Sequence, residues 1–519
     1  MGLSKRNQKR VINSARNIFT SAFFQTILGI TAFVERTVFI KCLSADYLGL
    51  NSLFSNVLYI LSIAELGISS TIAFALYKPL AENDNRKVHI YMRFFKKAYN
   101  IIGSIILILG LCLSPFIDRL AKDPVDNMSF YFIVYLFSVG LTYFFSYRQI
   151  LIEADQKKYV NQIIICLGSI LQQVVQVVVL LTTRNYALYL FIFFVFNVGK
   201  YIIISFVAKK MYPAIKDKTY KNEHLDKSER HDIVTNVKAM FFHKFGEVAI
   251  GCSDGILISY LVDLVTLGIY ANYQIILEAI RSAMRIFYSS VLASIGNMCA
   301  TEDRDTIYYS FKTLNFTNYI MFSFASIAIF GIIQPIISIW IGPKYLLPNS
   351  SVFFVAMVFF LSGTRYMILN FHDAFGLFWT DKYKRVLEAV VNLVLSFVLG
   401  KKYGINGILI GTISSNLAGF WIDGHVVYKY AFHRSSREYA FMYIKQSLVT
   451  IALIGIVFGI NRIYSGKISI WLELLLNIVM CLVIPIGTYS FIYRKNEDFI
   501  SMKQNTVEMI KLLIKRQRY

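Results

Sequence analysis

The chain has 519 residues, 56% of them hydrophobic and only 16% charged, with a formal net charge of +22. Soluble globular proteins carry about 25% charged residues, so this composition excludes an ordinary soluble fold and indicates an integral membrane protein. The excess of Lys and Arg does not indicate nucleic-acid binding, because these residues lie in short segments between apolar runs. The six cysteines include no CxxC pair, so neither a zinc site nor a disulfide framework is predicted.

Fourteen apolar segments follow one another along the chain, most of them near the length of roughly 20 residues that crosses the hydrocarbon layer. We predict that they are helices, because a helix satisfies its own backbone hydrogen bonds in lipid. The eleventh segment is short and carries Glu388 and Asn392. In chain order the predicted spans are roughly 17–40, 48–77, 98–117, 129–149, 161–182, 187–208, 241–262, 268–298, 315–340, 351–375, 386–400, 405–428, 443–462 and 469–493.

The distribution of positive charge predicts the orientation of these spans. With both termini inside, 39 of the 53 Lys and Arg residues fall on inside segments, nine on outside segments and five within spans. Cytoplasmic loops of membrane proteins carry such an excess of Lys and Arg. The asymmetry therefore predicts an even number of spans and cytoplasmic termini.

A weak internal repeat divides the first twelve spans into two sets of six. Leu48-Gly49-Leu50 before the second span resembles Leu267-Gly268-Ile269 before the eighth, and ADQKKY (154–159) resembles WTDKYK (379–384). The predicted fold is thus an all-α integral membrane protein of about 14 transmembrane helices, with two parallel six-helix halves plus a C-terminal helix pair. The predicted parts are an N-terminal half (1–208), a cytoplasmic linker loop (209–240), a second half (241–428), the helix pair (443–493) and a basic amphipathic cytoplasmic tail (494–519).

The sequence carries no motif of a known catalytic class. It contains no P-loop, HExxH or GxSxG pattern, and the predicted outside loops are too short to hold the active site of a membrane glycosyltransferase. No cofactor is predicted, although a proton or sodium gradient would be a possible energy source. We therefore expect a transporter rather than an enzyme.

Ionisable residues within the spans are the candidate functional groups, since a charge near the bilayer centre costs roughly 2.5–3.5 kcal/mol or more. Several share a helical face with other polar residues. Glu278 and Arg281 are close enough to pair merely to hold helices together, and Lys200 is placed to snorkel to the inside interface. The predicted substrate-binding residues are Arg36, Arg281, Arg285, Arg365, Gln25 and Gln274. The predicted ion-coupling residues, which have no Lys or Arg at helical spacing, are Glu65, Glu247 and Asp254.

One stretch of the chain resembles a known family. YLGLNSLFSNVLYILSIAELGISSTIAFALYKPLAENDNRKV (47–88), FFKKAYNIIG (94–103) and the ADQKKY loop are similar to the Wzx-type polysaccharide flippases. That family belongs to a superfamily that includes multidrug exporters and lipid II flippases. The resemblance is sharpest over 47–103 and loose in the ninth to fourteenth spans.

The resemblance implies a flippase that moves undecaprenyl-diphosphate-linked oligosaccharide across the bacterial cytoplasmic (inner) membrane for capsule, O-antigen or exopolysaccharide assembly. It also implies alternating access of two lobes around a cationic cavity, coupled to an ion gradient. Implied partners are the lipid-linked oligosaccharide, membrane lipids, and a polysaccharide polymerase and glycosyltransferases. A multidrug or small-solute antiporter of the same fold and a polytopic glycan polymerase or glycosyltransferase are the alternatives.

The predicted topology can be tested by cysteine labelling from outside, in a variant that lacks the six native cysteines. Single cysteines in place of Asp126, Lys344 or Lys467 should react with a membrane-impermeant maleimide, whereas those in place of Asn83, Lys221 or Lys382 should react only after permeabilisation. Labelling of the 209–240 loop from outside would contradict the arrangement of six and six spans.

Overall fold

The fold is known from a computed structural model, which describes residues 5–65, 68–213, 220, 223, 225–377, 380–381 and 383–516. Over these ranges the regular structure is helical throughout, with no strand. The all-α multi-pass membrane fold is thereby confirmed. Two of the labelling positions, Lys221 and Lys382, lie outside what the structure describes. So do the side chain of Glu247 and, in the predicted amphipathic tail, those of Ile510, Leu513 and Ile514.

The chain forms two compact units, of which the first is Met1–Gly268. A 3-10 turn, Ser62–Glu65, follows the second helix. The helices are α1 (Lys5–Cys42), α2 (Ala45–Leu61), α3 (Ile68–Glu82), α4 (Asn85–Leu113), α5 (Met128–Gly140), α6 (Tyr143–Ala154), α7 (Lys158–Thr183), α8 (Tyr186–Met211), α9 (Lys227–Leu261) and the first residues of α10 (Leu264–Thr301).

The second unit, Ile269–Tyr519, contains the rest of α10 and eight further helices of the described chain. The long helix α11 packs against α12, α16 and α17, and α14 packs along α15. The helices are α11 (Arg304–Ile341), α12 (Asn349–Thr364), α13 (Tyr366–Ala374), α14 (Lys384–Tyr403), α15 (Ile405–Val426), α16 (Arg437–Tyr464), α17 (Ile470–Ile492) and α18 (Glu497–Arg516).

Ten helices within the described ranges are long and apolar enough to cross a membrane. The remaining predicted spans, the second, seventh, eighth and eleventh, correspond to α2–α3, α9, α10 and α14. The second span corresponds to two helices of 17 and 15 residues, and α14 has Lys or Arg residues at both of its ends. The count of about 14 crossings therefore stays a prediction, as do the boundaries of the two halves and the cytoplasmic position of the tail.

The two glycines of the repeated Leu-Gly motif lie in one close helix crossing within the first unit. A Cβ atom on Gly49 would lie 1.9 Å from the carbonyl oxygen of Leu264, and one on Gly268 would lie 2.5 Å from the carbonyl oxygen of Ala45. Backbone atoms cannot move aside as a flexible side chain would. The motif thus has a packing cause, because it lets α2 approach the start of α10.

A proline inside α11 shapes the packing of the second unit. Pro335 lacks a backbone N–H, so the carbonyl of Gly331 one turn earlier has no helical donor. The side-chain amide of Asn477 in α17 donates to that carbonyl at 2.8 Å. The helix therefore continues past Pro335 and is fastened to α17 at the point where its own hydrogen bonding is interrupted.

Substituting Gly49→Ala should destabilise the folded protein by about 1–3 kcal/mol, since the added methyl group overlaps a backbone carbonyl. The matched control is Gly199→Ala in α8, where a Cβ would meet no atom within 4 Å and where removing a mid-helix glycine should be neutral or stabilising. Thermal unfolding in detergent measures both. Equal melting temperatures for the two variants would contradict the close crossing.

Candidate functional site

Glu65 ends the 3-10 turn between α2 and α3 and is surrounded by hydroxyl groups. Its Oε1 accepts hydrogen bonds from Ser69 Oγ at 3.1 Å and from the Tyr99 hydroxyl at 3.3 Å. The Tyr143 hydroxyl faces the same carboxylate and donates to Ser62 Oγ at 3.0 Å. Within the described chain no Lys or Arg pairs with Glu65. A half-buried carboxylate with hydroxyl neighbours and no basic partner is chemically suited to hold a proton or a sodium ion.

The other two predicted coupling residues lie in α9. Asp254 is half-buried, and the next residue, Gly255, lies where α9 meets α2. A Cβ atom there would be 2.0 Å from the side-chain amide of Asn56. Asp254 is therefore adjacent to the α2–α9 contact, whereas the position of the Glu247 side chain is not described.

Two predicted substrate residues lie in α1. Arg36 is half-buried, and its neighbour Glu35 accepts a hydrogen bond of 2.5 Å from the Tyr189 hydroxyl of α8. Gln25 lies about three turns earlier and is exposed. The structure thus gives Glu35 a role in joining α1 to α8.

The predicted substrate residues of α10 lie together on one face. Glu278 pairs with both arginines, at 2.5 Å from Arg285 Nη2 and at 3.6 Å from Arg281 Nη1. Arg281 also reaches the side-chain oxygen of Gln274 at 3.5 Å and lies over the ring of Phe359. Two guanidinium groups share one carboxylate, and the Arg285 side chain is 49% exposed. We name this net positive surface, Gln274, Glu278, Arg281 and Arg285, the α10 stripe.

Arg365 occupies a different environment, because it is paired with acids that lie on other helices. Its Nε and Nη2 donate to Asp423 at 3.0 and 2.8 Å, and Nη2 donates to Glu388 at 2.6 Å. The Arg365 side chain is 5% exposed and that of Asp423 is fully buried. These acids lie on α14 and α15, so residue spacing within the segment that carries Arg365 could not identify them. This buried guanidinium, held by two carboxylates, joins three segments of the second unit, which favours a structural role for Arg365 over contact with a substrate.

The ion cluster around Arg365 continues toward the α13–α14 connection. Lys384 Nζ lies 2.6 Å from both Asp423 and Asp381, and Arg385 contacts Glu388 at 3.2 Å. Burial of Asp381 opposes its ionisation, but the hydrogen bond with His372 and the charge of Lys384 outweigh it and lower the Asp381 pKa to about 2. The three buried carboxylates Asp381, Glu388 and Asp423 thus face four basic side chains, those of Arg365, His372, Lys384 and Arg385.

Lys200 does not snorkel as expected. It lies near the middle of α8, is 8% exposed, and donates from Nζ to Ser169 Oγ at 3.0 Å and to the Gln172 side-chain oxygen at 3.1 Å. A Cβ on Gly168 would collide with the Lys200 side chain, so this glycine makes room for it. The sequence indicates polar partners for Lys200 through the glutamines of α7, which interrupt an otherwise apolar run.

Asp423 and Lys384 are the principal residues that the sequence analysis did not select. Asp423 is an acid within an apolar span, which is in itself a signal of a functional or paired group. Its partners, however, are 58 and 39 residues away along the chain. Only packing of α15 against α12, α13 and α14 reveals that the group is neutralised.

The sequence matches no family model and no curated protein, but the fold is similar to that of solved transporters. The lipid II flippase MurJ in an inward closed conformation has a TM-score of 0.65 at 12% identity, covering 92% of this chain and 99% of that one. An inward-facing multidrug resistance MATE transporter of the MOP superfamily has a TM-score of 0.58 at 12% identity, covering 78% of this chain and 97% of that one. A point mutant of the Vibrio cholerae MATE transporter VcmN has a TM-score of 0.55 at 11% identity, covering 83% of this chain and 99% of that one. The chain therefore shares its fold with these solved transporters.

We predict that Asp423→Asn and Arg365→Ala both lower the yield and melting temperature of detergent-solubilised protein, because breaking a buried ion pair costs about 3–5 kcal/mol. The matched control is Glu278→Gln, which removes an ion-paired acid whose side chain is 52% exposed and should change stability by less than about 1 kcal/mol. If Arg365→Ala melts like the unmodified protein, the cluster is not structural.

Proposed function

We propose that this chain is a flippase that moves a lipid-linked oligosaccharide with a diphosphate linkage across the bacterial cytoplasmic membrane. The observation that carries this proposal is the α10 stripe, where two guanidinium groups share a single carboxylate and remain partly exposed. Guanidinium binds phosphate oxygens through two parallel hydrogen bonds. A diphosphate would supply to Arg281 and Arg285 the negative charge that Glu278 alone does not provide, whereas a neutral solute would not.

We assign each predicted substrate residue a role in this proposal. Arg281 and Arg285 bind the diphosphate, and Gln274 hydrogen-bonds with Arg281 or with sugar hydroxyls. Arg36 and Gln25 remain proposed substrate contacts on the strength of the sequence. Arg365 is assigned to the buried ion cluster instead. The resemblance to Wzx-type flippases supports the oligosaccharide over other lipid-linked substrates, and it motivates the proposed polymerase and glycosyltransferase partners.

Ion coupling is assigned first to Glu65. The helix is interrupted at this residue, and interrupted helices supply ion sites in other secondary transporters. Protonation or sodium binding would neutralise a carboxylate that three hydroxyl-bearing side chains surround. Asp254 and Glu247 remain candidates for the same role. The membrane potential supplies about 2.3 kcal/mol per charge per 100 mV, so movement of a few charges is sufficient to drive a cycle.

The substrate assignment is tested by reconstitution into liposomes with a polyprenyl-diphosphate glycan, scored by the accessibility of its sugar to an impermeant reagent. Arg281→Ala and Arg285→Ala should each slow flipping at least tenfold while leaving the melting temperature unchanged. Replacement of either arginine by Lys should restore flipping only partly, because Lys lacks the planar guanidinium fork. The control is Arg462→Ala, at an exposed position near the end of α16.

Two results would contradict the substrate assignment. Flipping at the normal rate by both alanine variants would show that the α10 stripe does not bind the diphosphate. Failure of the unmodified protein to flip the glycan, together with gradient-driven export of organic cations, would favour the multidrug antiporter.

The coupling assignment predicts that Glu65→Gln abolishes transport driven by an imposed proton or sodium gradient, while binding of the substrate is retained. Tyr99→Phe removes one of the hydroxyl groups that donate to the Glu65 carboxylate, and it should weaken coupling less than Glu65→Gln does. Substrate binding and gradient-driven flux are measured on the same proteoliposomes. Normal gradient-driven transport by Glu65→Gln, Glu247→Gln and Asp254→Asn alike would show that coupling lies elsewhere.

A further inference from the structure

A cavity of about 460 Å³ lies within the second unit, between the ends of α11, α16 and α17 and the segment 346–349. Its volume is in the usual range for small-ligand sites, roughly 300–1,000 Å³. The predicted topology places these helix ends on the outside of the membrane. The cavity is remote in sequence from the α10 stripe and from Glu65, and neither the proposed flipping mechanism nor the coupling mechanism uses it.

Glu473 is the one charged residue that lines this cavity. Its side chain is more than nine-tenths buried, and both of its hydrogen bonds, from Ser465 Oγ at 2.8 Å and from the Asn461 amide at 3.5 Å, end on Oε1. Across the described ranges no donor reaches Oε2, and no Lys, Arg or His forms an ion pair with Glu473. The carboxylate thus presents one oxygen without a protein donor beside the cavity, and this oxygen is an acceptor available to a cation.

The polar groups deeper in the same wall are already satisfied. Asn477 accepts hydrogen bonds from Asn461 at 2.9 Å and from the Tyr464 hydroxyl at 2.5 Å, and it donates to the Gly331 carbonyl. Asn461 is thereby fixed between Asn477 and Glu473. This network holds the Glu473 carboxylate in position without neutralising it, as a preformed binding site requires.

The rest of the lining indicates what kind of cation would fit. Phe330 and Phe458 line the cavity as an edge-to-face pair with ring centroids 5.9 Å apart. Aromatic faces attract organic ammonium groups and pack against apolar carbon, whereas calcium and magnesium require several oxygen ligands. Pro335 and Leu347 add further apolar surface. The combination of one carboxylate, two aromatic rings and apolar walls favours an amine with an apolar body over a metal ion.

We propose that this cavity binds a primary ammonium group attached to an apolar body, with Glu473 Oε2 as the acceptor. Such a group occurs both in the headgroup of an aminophospholipid and in a free amphipathic amine. Binding would neutralise Glu473 and join α11, α16 and α17 through one ligand. This proposal does not depend on the flippase function, since it concerns a different face of the second unit.

Two binding experiments on the full-length protein distinguish the two sources. In the first, native mass spectrometry of protein released from nanodiscs of equal phosphatidylethanolamine and phosphatidylglycerol content measures which lipid is retained. In the second, calorimetry in detergent measures binding of phenethylamine. Retention of phosphatidylethanolamine supports the lipid source, and phenethylamine binding without lipid preference supports the free amine.

Three variants complete the test. Glu473→Gln should weaken binding at least tenfold while keeping the acceptor for Ser465, and Ser338→Leu should do the same by filling the cavity with Glu473 intact. Glu497→Gln is the matched control, because Glu497 also lies in the first turn of a helix but is exposed and away from the cavity. If Glu473→Gln fails to fold, Ser338→Leu decides the question.

The proposal is overturned by any of three results. The first is that neither phosphatidylethanolamine nor phenethylamine binds. The second is that the folded Glu473 or Ser338 variants bind as tightly as the unmodified protein. The third is that calcium or manganese binds in a manner dependent on Glu473 and displaces the amine. Loss of transport in the flipping assay has no bearing on these outcomes, so the two proposals fail independently.

Discussion

The cost of placing a charge in hydrocarbon governs where this protein puts its ionisable side chains, because each one must be paired, hydrated or given a ligand. Arg365 meets this constraint through Asp423 and Glu388 at 2.8 and 2.6 Å. Lys200 meets it through neutral oxygens of α7. The α10 stripe meets it only in part, since two guanidinium groups share one carboxylate and stay partly exposed. The difference between these solutions separates structural charges from candidate functional ones.

The same constraint acts on the backbone. A lipid-facing chain must satisfy its N–H and C=O groups internally, and the helices of this protein depart from regularity at two informative points. The 3-10 turn that ends at Glu65 brings a carboxylate among the hydroxyls of Ser69 and Tyr99. Pro335 frees the Gly331 carbonyl, which Asn477 then binds. The first irregularity lies beside the candidate ion site at Glu65, and the second is satisfied by the side chain of Asn477.

The two units differ in how they use polar residues. In the first unit, Glu65 accepts hydrogen bonds from hydroxyl groups and forms no ion pair with a Lys or Arg of the described chain. In the second unit, most buried acids are already held by basic side chains, and the exception is Glu473. The fold shared with MurJ and the MATE proteins therefore holds a carboxylate bonded only to hydroxyl groups in its first unit and ion-paired carboxylates in its second.

The sequence alone determined that this is a helical membrane protein, and it identified the α10 stripe, because residues three, four and seven apart on one helix share a face whatever surrounds them. It also located the paired Leu-Gly motifs, although not their mutual contact. Tertiary structure decided everything that joins different helices: the acids around Arg365, the tyrosines around Glu65, and the cavity beside Glu473. The 3.6-residue period fixes neighbours within a helix, whereas which helix lies opposite depends on the packing of the whole unit. For that reason the sequence could find a charged side chain and yet could not tell whether its charge was already neutralised.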